Sequence, residues 1–245
     1  MLLRCIKAEN LKFRHSVIYT AFLLIPVIPA IMGTFNYLQN LEILKNGWYS
    51  LWTQITLFYA SFFYAPLIGI YCSYSWRLEH TNHNWNPFMT MPVSHTCSYL
   101  GKLFVIIKVT ILTQIWMGLL FFISGKLTGL SGIFRPEIIF WLLRGTLAAI
   151  TIAALQLLLS MLIRNFAIPI GIALIGSVAG VVMNSAGFGK FWPYSLMILG
   201  MNSNQNENVL STLASTVSFY LSISIFFALF FSIAMWWLQT KDIHS

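Results

Sequence analysis

The chain has 245 residues, of which 58% are hydrophobic and only 8% charged, and its formal net charge is +8. A soluble domain carries roughly a quarter charged residues, so this composition excludes a water-soluble fold, which could not cover its own surface. The positive charge does not point to nucleic acid either, because the basic residues stand mostly between apolar runs, where they orient a chain in a membrane.

Residues 1–15 are expected to form an amphipathic helix on the inner membrane surface. Leu2, Leu3, Ile6 and Phe13 fall on one helical arc, and Arg4, Lys7 and Arg14 on an adjoining one. Six apolar runs follow, at about 16–38, 51–74, 103–124, 138–163, 168–186 and 210–238, each able to cross a hydrocarbon layer about 30 Å thick. Pro26 and Pro29 should bend the first span, and Pro66 lies inside the second; neighbouring helices make such breaks tolerable in lipid. With no internal repeat and no boundary in composition, 1–245 reads as a single all-α polytopic domain.

Orientation follows from the basic residues. With the amino terminus inside, Arg4, Lys7, Lys12, Arg14, Arg77, Lys102, Lys108, Arg164 and Lys241 are cytoplasmic, and Lys45, Lys126, Arg135, Arg144 and Lys190 external. The excess inside puts both termini in the cytoplasm. Lys108 and Arg144 lie one to two turns within their spans and are read as snorkelling to the interface, the alternative being a polar path between subunits. Tyr37, Trp48, Tyr49, Trp52, Trp192 and Tyr194 flank the outer span ends, and Tyr74, Trp76, Trp236 and Trp237 the inner ones, which suits rings with one apolar and one wet part.

Catalytic chemistry is not evident. No glycine-rich loop ends in Lys-Ser or Lys-Thr, no HExxH occurs, and the six acids, Glu9, Glu42, Glu79, Glu137, Glu207 and Asp242, all stand at or beyond span ends. His80 and His83 share a spacing of three but have no third ligand nearby, so a solvated turn is expected rather than a metal site. Cys5, Cys72 and Cys97 lack metal spacing and are expected as free thiols. The chain is therefore expected to bind no cofactor and to catalyse nothing itself.

The segment Trp76 to Lys102, WRLEHTNHNWNPFMTMPVSHTCSYLGK, joins the second and third spans on the inside. It crowds Trp85, Phe88, Met89 and Met91 ahead of Pro92, a compact apolar knob that needs either a protein groove or the lipid boundary to cover it. Glu79, Asn82, Asn84, Trp85, Met91, Pro92, Val93, Tyr99 and Lys102 together resemble the loop of the permease subunits of lantibiotic-protection (immunity) ABC transporters, small members of the ABC-2 type permease family. The layout resembles theirs as well: a basic amino-terminal helix, six spans, a long first inner loop and a short tail.

The resemblance implies a bacterial cell-membrane permease of an ATP-driven exporter for lantibiotics or similar antimicrobial peptides. It implies a coupling helix between the second and third spans, seated in a separate ABC ATPase subunit that holds ATP and Mg. Trp85, Phe88 and Met91 would be its anchors, Met89 and Pro92 part of the same knob, and Glu79 a polar contact or helix start. Pro87 departs from the relatives' pattern and suits the first position of a short helix. A second permease, identical or related, would complete the pore, with no nucleic acid involved. The alternatives are an ABC-2 exporter of another substrate, such as a bacitracin-like drug, a lipid or an ion, and a membrane sensor or assembly protein without transport.

Overall fold

A computed structural model describes residues 1–14, 16–81, 93–205 and 207–240, without the side chain of Val17. The described residues form helices and turns, and six helical segments are long and apolar enough to cross a membrane, as the sequence predicts. An amino-terminal helix, α1 (Leu2–Phe13), precedes them.

The first span is two helices, Val17–Leu24 and Val27–Gln39. The break falls at Ile25 and Pro26, because Pro26 has no N–H for the carbonyl one turn back. Pro29 falls in the first turn of the second piece, where no helical acceptor exists for its missing N–H. Gly33 brings this piece against the second span: a Cβ there would lie 2.3 Å from Ile55 Cα.

The second span runs from Trp48 to His80, with one widened turn at Tyr59–Phe63 just before Pro66. That turn accommodates the hydrogen bond that Pro66 cannot donate. With 67% of its most apolar window buried, against 11% for the sixth span, it is the centre of the bundle. The third span, His95–Leu127, is equally long. Ser94 caps it by accepting a bond from Cys97 N at 3.3 Å.

Both helices thus pass the boundaries expected from hydropathy, 74 and 103. Ser75–His80 and His95–Lys102 are helical, not loop. The fourth span is Glu137–Leu162, the fifth Ala167–Ser185 and the sixth Leu213–Thr240.

Between the fifth and sixth spans the sequence suggests an outer loop, and the structure corrects this. The chain makes a short turn at Gly189–Phe191 and re-enters the bundle as the helix Ser195–Gly200, every residue of which is buried. Asn202 and Asn204, with φ of 52° and 51°, turn it back. Trp52 Nε1 donates to the Met201 carbonyl at 2.7 Å, and Tyr49 Oη to the Gln205 carbonyl at 2.7 Å. Gly200 permits the approach, since a Cβ there would meet the Arg144 carbonyl carbon at 3.0 Å.

The aromatic residues expected at the membrane boundary divide. Trp236 is exposed, whereas Trp52, Trp76, Tyr37, Tyr194 and Trp48 are buried in the bundle. Trp52 packs edge-on to Phe121 and stacks near Trp141, with centroids 5.2 and 6.4 Å away. Tertiary packing thus buries most of these rings within the bundle.

Candidate functional site

The amino-terminal helix is amphipathic, but its packed face is not the expected apolar arc. Glu9 and Phe13 are buried, Ile6 is half-buried and Leu3 is 75% exposed. Leu3 thus points away from the bundle. Phe13 meets Tyr74 of the second span edge-on, with centroids 5.8 Å apart. Gly101 lets the third span approach closely, since a Cβ there would be 3.2 Å from Cys5 Cβ. Lys108 donates to Asn10 Oδ1 and so finds a partner on α1.

On this contact stands a cluster of four charges. Lys102 is wholly buried; its Nζ lies 3.0 Å from Glu9 Oε2, 2.8 Å from Glu79 Oε1 and 3.3 Å from the Ser75 carbonyl. Three acceptors match the three protons of an ammonium. The same nitrogen sits 5.1 Å from the centroid of the Trp76 ring. Lys12, a third exposed, donates to Glu9 Oε1 at 2.8 Å and to Glu79 Oε1 at 2.6 Å. Burial opposes the charge on Lys12, but the two carboxylates outweigh it and hold its ammonium above the usual lysine range. Two anions and two cations make the cluster neutral, the condition under which charges persist out of water. All four ion pairs found among the described residues belong to it.

Glu79 belongs to a wider junction. The last turn of the second span sends successive side chains to different elements. Trp76 lies under Lys102, and the Arg77 guanidinium lies 5.5 Å from the Phe166 ring centroid, beside the link between fourth and fifth spans. His80 Nε2 is 3.2 Å from the Ser160 carbonyl of the fourth span, and its ring stacks near Trp76 at 6.1 Å. A hydrogen-bonded, half-buried ring replaces the solvated turn expected there, while His83 lies outside the described residues. No group of three or more His, Cys, Asp or Glu among the described residues is arranged to hold a metal.

The other residues of the loop pattern separate cleanly. Tyr99 is buried, with its hydroxyl 3.5 Å from the Ala154 carbonyl and its ring edge-on to Phe231, so it ties the third span to the fourth and sixth. Asn82, Asn84, Trp85, Phe88, Met89, Met91 and Pro92, and with them the expected coupling helix, lie outside the described residues, which resume at Val93. Glu9 and Lys12 were not singled out in the sequence. The available signal was their spacing of three on one helix in a chain with only six acids.

At the opposite end a cavity of about 340 Å³ is lined by Tyr49, Trp141, Arg135, Glu137 and Glu207. It is open; Glu137 and Glu207 are exposed there, whereas Trp141 is buried and Tyr49 half-buried. Between the fifth and sixth spans, the residues from Tyr194 to Ser203 are buried.

No curated protein and no solved structure matches the chain. The model of the ABC-2 family transporter proteins matches residues 5–180, from α1 through most of the fifth span and including the whole junction. The chain therefore belongs to the ABC-2 family of transporter permeases.

Proposed function

We propose that this permease is the membrane-spanning subunit of an ATP-driven exporter that expels lantibiotics or similar antimicrobial peptides from a bacterial cell membrane. Both termini face the cytoplasm. A separate ABC ATPase subunit, carrying ATP and Mg, grips the apolar knob of Trp85, Phe88, Met89 and Met91 ahead of Pro92. A second permease, identical or related, completes the pore. The chain itself performs no catalysis and holds no cofactor.

The observation carrying this reading is where Glu79 sits. It is six residues ahead of Trp85, the first residue of the knob that would dock, and it is bonded to both Lys12 on α1 and Lys102 on the third span. A push on that segment reaches the second span at its last turn. From there the ion cluster passes it to α1 and the third span, and Arg77 and His80 to the fourth and fifth. An applied force shifts such a bundle only if the ATPase binds its two arrangements unequally, so a rigid junction at the docking point is what coupling requires. The peptide assignment rests on the resemblance of the Glu79 to Lys102 segment to lantibiotic-protection permeases.

Two experiments test it. The ATPase encoded with this chain should copurify with it in mild detergent and be released by Trp85→Ala. Cells carrying the operon should survive lantibiotic challenge better than cells without it. If no nucleotide-binding subunit associates, the transporter reading fails. If it associates but protection extends only to another drug class, the substrate is reassigned.

A further inference from the structure

Arg144 stands on the fourth span seven residues past Glu137, about 10 Å along the helix axis from its start. It is half-buried, and its side chain makes no hydrogen bond, ion pair or ring contact with any described residue. Lys108, on the third span, reaches Asn10. An unpaired guanidinium at such depth is costly, and intramembrane charges ordinarily face a partner.

Its surroundings define what that partner is. Arg144 lines an open cleft of about 470 Å³ between the third, fourth and sixth spans, walled by Ile111, Phe140, Leu147, Ile150 and Tyr220. Phe140 is 62% exposed and Leu147 42%, so the cleft opens sideways, toward the hydrocarbon. The backbone at Arg144 is wedged against Gly200 of the re-entrant helix, which keeps the fourth span from rotating to carry the side chain elsewhere. A second copy of the chain offers no carboxylate from within a span, because all six acids stand at or beyond span ends. The cleft's walls are exposed apolar side chains, so the anion at hand is a phospholipid headgroup.

We propose that this cleft is a phospholipid site, in which Arg144 holds the phosphodiester and the apolar walls hold an acyl chain. The guanidinium fork matches two phosphate oxygens at once. No carboxylate lines the cleft to receive a choline or ethanolamine ammonium, so anionic headgroups are preferred. The site is independent of what the protein transports.

The test is native mass spectrometry of the full chain, purified and re-equilibrated in vesicles of equal phosphatidylglycerol and phosphatidylcholine. Wild type should retain phosphatidylglycerol with an enrichment on the order of tenfold, which corresponds to about 1.4 kcal/mol of preference for the net anionic headgroup. Arg144→Gln should abolish the enrichment and Arg144→Lys keep part of it. Leu147→Trp, which fills the cleft and leaves the charge, should also abolish it, and it decides the matter if Arg144→Gln does not fold. The proposal is overturned if wild type shows no enrichment, as it would if another protein chain covered the cleft. It is equally overturned if Arg144→Gln or Leu147→Trp retains lipid as wild type does.

Discussion

Lys102 Nζ lies 2.8 Å from Glu79 Oε1, across the 23 residues of chain that separate the two positions. The segment between them runs through the knob read as an ATPase docking surface, so this ion pair closes the base of the loop. Glu9 and Lys12 extend the closure to α1, and the fold at this end of the bundle depends on all four charges remaining together.

Lys102→Met should be among the most destabilising single changes in the chain. It leaves Glu9 and Glu79 buried with only Lys12 between them, and breaking a buried pair from one side costs about 3–5 kcal/mol. Thermal unfolding in detergent measures this. Glu79→Gln in the same background should cost less than it does alone, a coupling that a double-mutant cycle reads directly.

The contribution of Lys12 has a definite pH sense. Its pKa in the folded chain is raised above the ordinary 10.5, so the stabilisation is complete below that value and is lost as pH climbs through the raised one. Attachment of α1 should therefore be insensitive to Lys12 titration between about pH 6 and 9 and should loosen only in stronger alkali. In a Cys97→Ser background, the alkylation rate of Cys5, which packs on Gly101, reports that loosening once it is divided by the rate of a small free thiol at the same pH. A rise already near neutrality would contradict it.

Two glycines should respond in opposite directions to alanine. Gly33→Ala places a methyl 2.3 Å from Ile55 Cα, a backbone atom that cannot swing aside, and should cost more than the 1–3 kcal/mol or so usual for overpacking. Gly171, in the fifth span, has nothing within 4 Å of a new Cβ. Gly171→Ala should stabilise by about 0.5–1 kcal/mol through the lower entropy of the unfolded chain. Melting temperatures of the two variants, measured side by side, check both signs.

Trp52→Phe keeps the ring in its aromatic cluster but strips the Met201 carbonyl of its donor. A buried acceptor left alone costs about 1–3 kcal/mol. The loss should appear as faster hydrogen exchange confined to the re-entrant helix Ser195–Gly200 and its following turn.

These positions also show which features the sequence made legible. Apolar runs long enough to span a bilayer located all six spans, because burial in hydrocarbon is written directly in composition. Hydropathy reports where lipid is, not where a helix ends, so it missed the polar helical turns that bring Glu79 and Lys102 face to face. The re-entrant helix escaped notice because Ser195–Gly200 is only six residues, far too short to read as a span. The packing of Trp52 and Trp76 was not legible because their tertiary partners, Met201 and Lys102, are remote in sequence. Glu79 could be named from the loop pattern; the spacing of Glu9 and Lys12 marked a pair on α1, but that the pair meets Glu79 and Lys102 shows only in the folded chain.

The measurement closest to the centre of this account is ATP hydrolysis and peptide resistance determined together in the assembled transporter carrying Lys12→Gln. Lys12 is partly exposed, so the bundle should still fold, yet the tie from Glu79 to α1 is weakened. The account predicts that the ATPase stays bound and hydrolyses ATP while resistance to the peptide falls, the Lys102 bridge from Glu79 to Glu9 carrying what remains. Full resistance in that variant would contradict it, because the Lys12 tie to Glu79 would then carry no part of the coupling.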